Sequence, residues 1–560
     1  MASGKETLRL ARDTARRLED ARRPWLEHAR EVAEHVAPDK GCFPGQSGPG
    51  EKRMGRVIDS TATRAAQIMA AGLHGGLTSP ARPWFRLSLS DPDLMERGPV
   101  RDWLAACENR LYAAYRRSGF YQAAHALYLE LGVFGSACLL AESDPERSLR
   151  FTCLTFGEFA WSEGSSGMID TVARRREVPV RVLAERYGRD RLSESARRLL
   201  DKDQGDERVE VVHLTMPRED SVRAPGKPFA AYAFEEGGGE LLSEGGFDEF
   251  PYLCPRWDVT GSEEYGRGPG MTVLPDVKML QEMAKGRLQA VHMGLRPPMR
   301  VPSKYARRLN LIPGGQNYVN PQQADGLAPL YETRVPLAEV SHVIEDVRAA
   351  IRAGFFNDLF LMISNVDRSG VTATEVMEKQ AEKLLMLGPI VERLQSEMLD
   401  PLTTRVFRLL LRSGELPRPP AELAEYAKQG GRLKAEYVST LAQAQKMAGS
   451  QSILSMLSMV GNVAGLAPDA LDKIDFEQAL DELARSTGVP ASVVRPDEQV
   501  AAMRKEKAEA ARAQAQAQAQ AQAAETSVRQ GKELVQAAKT LSEIDTDGDN
   551  ALTRLTEVLT

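Results

Sequence analysis

Residues 71–87 read AGLHGGLTSPARPWFRL: small residues at helical spacing, a glycine pair, a proline-punctuated turn, then a Trp-Phe pair running into an alternating segment. A phosphate-binding loop needs a strand, a Gly-rich loop ending in Gly-Lys-Ser/Thr, and then a helix whose free amides meet the phosphates. Here the order is reversed: helix, glycines, turn, strand. Gly226-Lys227 lacks that spacing too, and GRGPG at 266–270 lacks the G-x-G-x-x-G pattern. Gly75-Gly76 therefore reads as a helix C-terminal cap followed by a tight turn, and no nucleotide site is expected.

Upstream, residues 5–37 place Leu8, Ala11, Ala15, Leu18, Trp25, Ala29, Val32 and Val36 on one helical stripe. Pro24 is expected to break or kink that helix and Pro38 to stop it. A second helix starts near Asp59 and carries Ala65, Ile68, Met69 and Leu73 toward the glycine pair. Downstream, FRLSLSD at 85–91 alternates as a strand does. Helices bearing Leu104, Leu111, Tyr115, Leu127 and Leu131 follow. Residues 149–260 mix strand-like runs (RVEVVHLTM, FAAYAF) with Gly-rich turns, and form the β-containing part.

From about 275 the pattern becomes helical again. Val277, Leu280, Ala284, Leu288, Val291 and Leu295 share one face up to Pro297-Pro298. After a Pro/Gly/Asn-rich connector, Leu337, Val340, Ile344, Val347, Ile351 and Phe355 share another. A connector as long as residues 298–335 inside a compact domain is unusual and often functional. Thr372 and Glu375 have capping-box spacing, so a loop at 365–371 precedes a long helix. Its apolar line includes Val376, Leu384, Leu387, Val391, Leu394, Met398, Leu402, Val406 and Leu409. Gly388-Pro389 lies inside it and predicts a kink. More helices run to about 486. In AQAQAQAQAQA at 513–523, neither residue is β-branched and both favour helix, so this tract reads as an extended polar helix, assembled side by side with its copies.

The chain has 560 residues, enough for several domains. Its 72 Lys+Arg against 78 Asp+Glu give a net charge of −6. Broad gripping of DNA works by neutralising phosphates and calls for a basic protein; any DNA contact here is expected to be local or non-adhesive. Five cysteines (Cys42, Cys107, Cys138, Cys153, Cys254), without a C-x-x-C pair, argue against a disulfide framework or structural zinc and for maturation in a reducing cytoplasm. The N-terminus is charged and helical rather than a secretory signal. The most apolar stretch, 452–467, is too short and Ser/Gly-broken to span a bilayer, so no membrane partner is expected.

The seven histidines form no H-x-H or H-E-x-x-H arrangement, and no G-x-S-x-G elbow occurs. No cofactor and no catalytic residue is nominated. Asp545, Asp547 and Asp549 fall at the first ligand spacings of a calcium loop, but Asn550 replaces the turn glycine and Thr556 the bidentate Glu. A polar turn is the expectation there, with calcium binding the alternative. Arg300, Lys304, Arg307, Arg308 and Arg368 are scattered through the two loops, where solubility alone can account for them.

Taken together, RRPW at 22–25, DSTATRAAQIMAAGLHGGLTSPARPWFRL at 59–87, YGRGPGMTVLPDVKMLQ at 265–281 and VTATEVMEKQAEKLLMLGPIVERLQSEMLDPLTTRVFRLLLRSGELP at 371–417 resemble the head-to-tail connector, or portal, family of short-tailed (podovirus-type) bacteriophages. The resemblance implies an α+β, predominantly helical portal fold with wing, stem, clip, crown and C-terminal helical barrel, assembled as a ring. It divides the chain into helices and α/β wing (1–274), first stem helix (275–297), clip (298–335), second stem helix (336–364), tunnel loop (365–372), kinked helix and crown (373–490) and Ala/Gln-rich barrel or tail (491–560).

It further implies a non-enzymatic dodecamer at one capsid vertex, a channel for genome packaging and ejection. Its partners would be major capsid and scaffolding proteins, terminase, tail adaptor and tail tube proteins, and double-stranded DNA passing without sequence specificity. The location would be the virion, with host cytoplasm during assembly. Asn365, Asp367, Arg368 and Ser369 would form the tunnel loop; Arg300, Lys304, Arg307, Arg308, Asn317 and Tyr318 would meet terminase or tail. Two other classes remain: a different helical ring-forming assembly protein with a degenerate calcium loop, and an enzyme whose site is assembled from distant residues.

Overall fold

The computed structural model describes residues 4–45, 53–218, 226–300, 310, 328–329, 336–364, 386–431, 433–438, 456, 459, 476, 478–480 and 497–542. The chain divides into two units, Met1–Gly488 and Val489–Thr560. In order, the first unit begins with α1 (Gly4–Val36), α2 (Thr61–Leu77), β1 (Phe85–Leu89), α3 (Pro92–Glu96), α4 (Gly98–Arg117) and α5 (Phe120–Phe134). Strands β2 (Cys138–Asp144), β3 (Ser148–Leu154), β4 (Phe159–Glu163) and β5 (Ile169–Pro179) follow, then α6 (Val180–Tyr187), α7 (Glu194–Asp201), β6 (Arg208–Pro217), β7 (Phe229–Glu235), β8 (Leu241–Phe247) and β9 (Tyr252–Leu253).

The predicted stripe of α1 is buried at Leu8, Ala11, Ala15, Leu18, Ala29, Val32 and Val36. The expected break at Pro24 is absent: α1 runs unbroken through it. Tertiary packing on both sides of the proline outweighs one lost helical hydrogen bond. Leu8–Leu18 pack on the antiparallel five-stranded sheet β4-β5-β6-β7-β8, and Ala29–Val36 enter the main helical core. A three-stranded sheet, β3-β2-β9, packs against α5 through β2 and β3.

The opening stretch is structural, though not by the cap expected of it. Gly75 and Gly76 lie within α2, which ends when the Thr78 N–H donates to His74 O at 3.1 Å. The glycine that matters is Gly72, where a Cβ would stand 2.2 Å from the ring of Phe360. Trp84 and Phe85 are fully buried among Tyr112, Tyr115 and Phe120. The Tyr112 hydroxyl accepts from both Trp84 N and Phe85 N at 2.9 Å and donates to Phe85 O, so the buried backbone leading into β1 is satisfied.

Next come α8 (Pro269–Thr272), α9 (Leu274–Leu295), β10 (Met299–Arg300), β11 (Ala328–Pro329), α10 (Leu337–Gly354) and α11 (Asn357–Ser364). The second helix, expected to run unbroken over 336–364, is divided. Phe356 takes a left-handed φ of +56° between α10 and α11, a conformation a helix interior does not accept. α12 (Gly388–Leu394), a π-helical turn (Gln395–Leu399) and α13 (Asp400–Arg412) follow. At Gly388-Pro389, where a kink was expected, Met386-Leu387 form a turn and Pro389 occupies the first turn of α12. There its missing N–H has no helical partner to lose. The residues before Met386 that the kink would join lie outside the described residues. Where more helices were expected after 417, α14 (Ala421–Lys428) is followed by β12 (Leu433–Tyr437), which pairs antiparallel with β1, Phe85 opposite Tyr437.

In the second unit, α15 (Asp497–Ser542) is one helix through the Ala/Gln tract.

Candidate assembly surface

The paired helices α9 and α10 carry the features most suited to a functional role. Their inner ends are anchored by polar groups that local sequence patterns do not single out. Gln281 is buried on α9; its Oε1 accepts from Ile58 N (2.7 Å) and Asp59 N (2.9 Å), and its Nε2 donates to Asp59 O (2.8 Å). Asp59 in turn accepts from Thr61 N and from the Arg348 guanidinium of α10. Burial alone would raise the Asp59 carboxyl, but hydrogen bonds from Thr61 and Arg348 hold it below the ordinary range. Lys278 of α9 pairs with Glu31 of α1.

The glycines of GRGPG serve close backbone approach. A Cβ on Gly266 would lie 2.4 Å from Gly135 O, and one on Gly270 would lie 2.4 Å from Val133 O. This holds the approach to α9 against the end of α5. Behind it, Arg256 is buried and salt-bridged to Glu397 and Glu163, both at 2.8 Å, and donates to Gly167 O. Glu397 sits in the π-helical turn, a geometry often found where a side chain must be re-aimed.

The apolar stripes of α9 and α10 continue past this anchored region. Val277, Leu280 and Ala284 are buried, whereas Leu288 (52%), Val291 and Leu295 (76%) are exposed. On α10, Ile344, Val347 and Ile351 are buried, while Leu337 and Val343 are exposed. The outer ends of both helices thus present an apolar surface that no other described residue covers. Three cations and two acids on α9, against two cations and three acids on α10, leave the pair without formal net charge.

Of the expected site residues, Arg300 lies in the short β10–β11 pair and is exposed. Lys304, Arg307, Arg308, Asn317, Tyr318, Asn365, Asp367, Arg368, Ser369, Thr372, Glu375, Asp545, Asp547 and Asp549 fall outside the described residues. Among the described residues, no group of three or more His, Cys, Asp or Glu side chains is placed to hold a metal. No helix among them is long and apolar enough to cross a membrane.

The chemistry concentrated here is that of positioning and packing. Residues 8–494 match the family described as bacteriophage head to tail connecting protein, and the chain belongs to that family. It is 36% identical over 550 residues to the probable portal protein of Bordetella phage BPP-1, covering 96% of each chain. It is also 36% identical over 548 residues to the portal protein of Salmonella phage epsilon15, again covering 96% of each. A chain from the virion of a native gene transfer agent particle aligns over 77% of this chain and 89% of its own at 12% identity and a TM-score of 0.33, a likeness too distant to carry weight.

Proposed function

We propose that this chain is a portal subunit, twelve copies of which close into a ring at one capsid vertex. The ring would be the channel for genome packaging and ejection. In this reading α9 and α10 are the stem, and residues 298–335, Arg300 among them, form a clip that docks terminase and then tail adaptor and tube proteins. Residues 365–372 are a tunnel loop, 373–490 reach the crown, and α15 belongs to a C-terminal barrel. The ring meets capsid and scaffolding proteins in the host cytoplasm and remains in the virion. Catalysis belongs to another protein.

The observation that carries this reading is the uncovered apolar continuation of α9 and α10. A surface of that kind calls for copies of itself, and a closed ring covers it on every subunit. The absence of net charge on the helix pair suits a wall along which DNA slides, since each neutralised phosphate would add friction.

The test is native mass measurement combined with negative-stain imaging of the purified protein. A ring with a central hole near roughly 740 kDa, twelve times the 61.6 kDa chain, is expected. A compact dimer or tetramer without a channel would overturn the proposal.

A further inference from the structure

Cys138 opens β2 and Cys254 directly follows β9. Their sulfurs lie 3.9 Å apart, and both side chains are buried. β2 pairs with β9 through Leu139–Leu253 and Leu140–Tyr252. The same register continues beyond β9: Ala137 N donates to Pro255 O (3.1 Å), Trp257 N to Gly135 O (2.8 Å) and Ala141 N to Pro251 O (2.9 Å). The hydrogen-bonded rows of the antiparallel ladder therefore fall on odd-numbered residues of this segment. Cys138 and Cys254 occupy a non-hydrogen-bonded row, where opposed Cα atoms stand about 4.5 Å apart and side chains come closest. That spacing lies inside the range of about 4.4–6.8 Å that a disulfide accepts. Cys153 stands opposite Leu139 and so projects from the other face of the sheet.

We propose that Cys138 and Cys254 are an oxidation site at which a hydroperoxide closes a disulfide within one subunit. The sulfur of Cys254, the less deeply buried of the two, attacks one peroxide oxygen as thiolate. The O–O bond breaks, hydroxide leaves with the electron pair, and a sulfenic acid forms. The sulfur of Cys138 then attacks that of Cys254, the S–O bond breaks and water leaves. Two thiols lose two electrons in total, and one hydrogen peroxide becomes two waters. Burial holds the Cys138 thiol well above its ordinary pKa, so it stays protonated and slow to react until Cys254 has been oxidised beside it.

The consequence is mechanical. The bond joins residues 116 positions apart. It would fasten the α5–β2 junction to the segment that leads through GRGPG into α9, and that segment otherwise depends on backbone packing and the Arg256 network.

The test treats the full chain with hydrogen peroxide, quenches it by denaturation in alkylating agent, and maps the digested peptides by mass spectrometry. Exposed Cys42 reports the dose. The expected result is a reducible peptide cross-link between Cys138 and Cys254 on chains that migrate as monomers in a denaturing gel. Cys107 should remain alkylatable, and Tm should rise by roughly 5 °C or more because a long loop is closed. The rise should be absent in Cys254→Ser, with Cys138→Ala as a second control should that variant misfold. Both thiols still alkylated, or either driven to sulfinic acid without a cross-link, once Cys42 is fully oxidised, would overturn the proposal. The bond lies within one subunit, so a ring and a monomer give the same answer and the result is separable from that of the portal reading.

Discussion

Arg348 of α10 reaches the carboxylate of Asp59 with two hydrogen bonds, 3.0 Å from Nε and 2.7 Å from the terminal nitrogen. The backbone of the same aspartate is gripped by Gln281 of α9. A single residue, two positions before the start of α2, thus ties down both helices. Both bonds fall on one carboxylate oxygen and act as a single charge-assisted interaction of about 1.5–3 kcal/mol, so Arg348→Ala should destabilise the first unit by about that amount in chemical denaturation. Because the Asp59 carboxyl titrates below its ordinary range, its contribution is complete above about pH 4 and is lost as pH falls through the lower folded value. In Asp59→Asn the acid-induced part of that loss should disappear.

Glu130 is buried on α5, where it accepts from Phe156 N (3.0 Å) and Thr155 Oγ1 (2.8 Å). Burial raises its carboxyl to about 7 in spite of those bonds. Between pH 4.5 and 7 the folded state therefore binds more protons than the unfolded one at this position, and stability falls as pH rises. Glu130→Gln should gain on the wild type across that window by up to ~3 kcal/mol. Melting curves of the two proteins at pH 5 and pH 8 check this; parallel shifts would refute it.

The close approach of α11 to α2 rests on Gly72. Gly72→Ala would bring Cβ against the Phe360 ring and should cost about 1–3 kcal/mol. Phe360→Leu in the same chain should recover part of that loss, read as a coupling energy in a double-mutant cycle.

Much of this architecture was legible in the chain, because burial leaves a periodic imprint. The stripe of α1 and the line Val391–Leu394–Met398–Leu402–Val406 are buried as their spacing implies, whereas β1, expected to alternate, buries Ser88 together with Phe85, Leu87 and Leu89. The errors came where a local rule met a distant partner. Pro24 does not break α1, because sheet and core hold the helix on either side. LKAEY at 433–437 becomes a strand only because β1, some 350 residues earlier, offers it an edge. The polar anchors Asp59, Gln281, Arg256 and Glu397 carry no periodic signal and meet only in space. The outer stripes of α9 and α10 were readable as apolar, but their lack of an internal partner was not.

That surface yields a separate prediction. Leu288→Glu replaces an exposed leucine and should leave the melting temperature of the isolated chain within about 1 °C. If the stripe lies between copies, the same change should shift the assembly toward monomer in analytical ultracentrifugation, since each buried leucine contributes about 1.5–3 kcal/mol. Unaltered rings would place the contact elsewhere.

The proposed tunnel loop is tested through Arg368→Ala. Loss of one cation per copy at a constriction should alter the length of packaged DNA or its retention in filled particles. Unchanged packaging and retention would remove the loop from the channel.

α1 has a further consequence for how load travels. At about 1.5 Å per residue its 33 residues span about 50 Å, with one end bedded on the five-stranded sheet and the other in the helical core beside Lys278. A rod held at both ends by side-chain packing transmits thrust along its axis better than it absorbs it. A displacement of the sheet would therefore be passed along α1 to the base of α9, against which its far end packs. Glu31, paired with Lys278, lies at that junction.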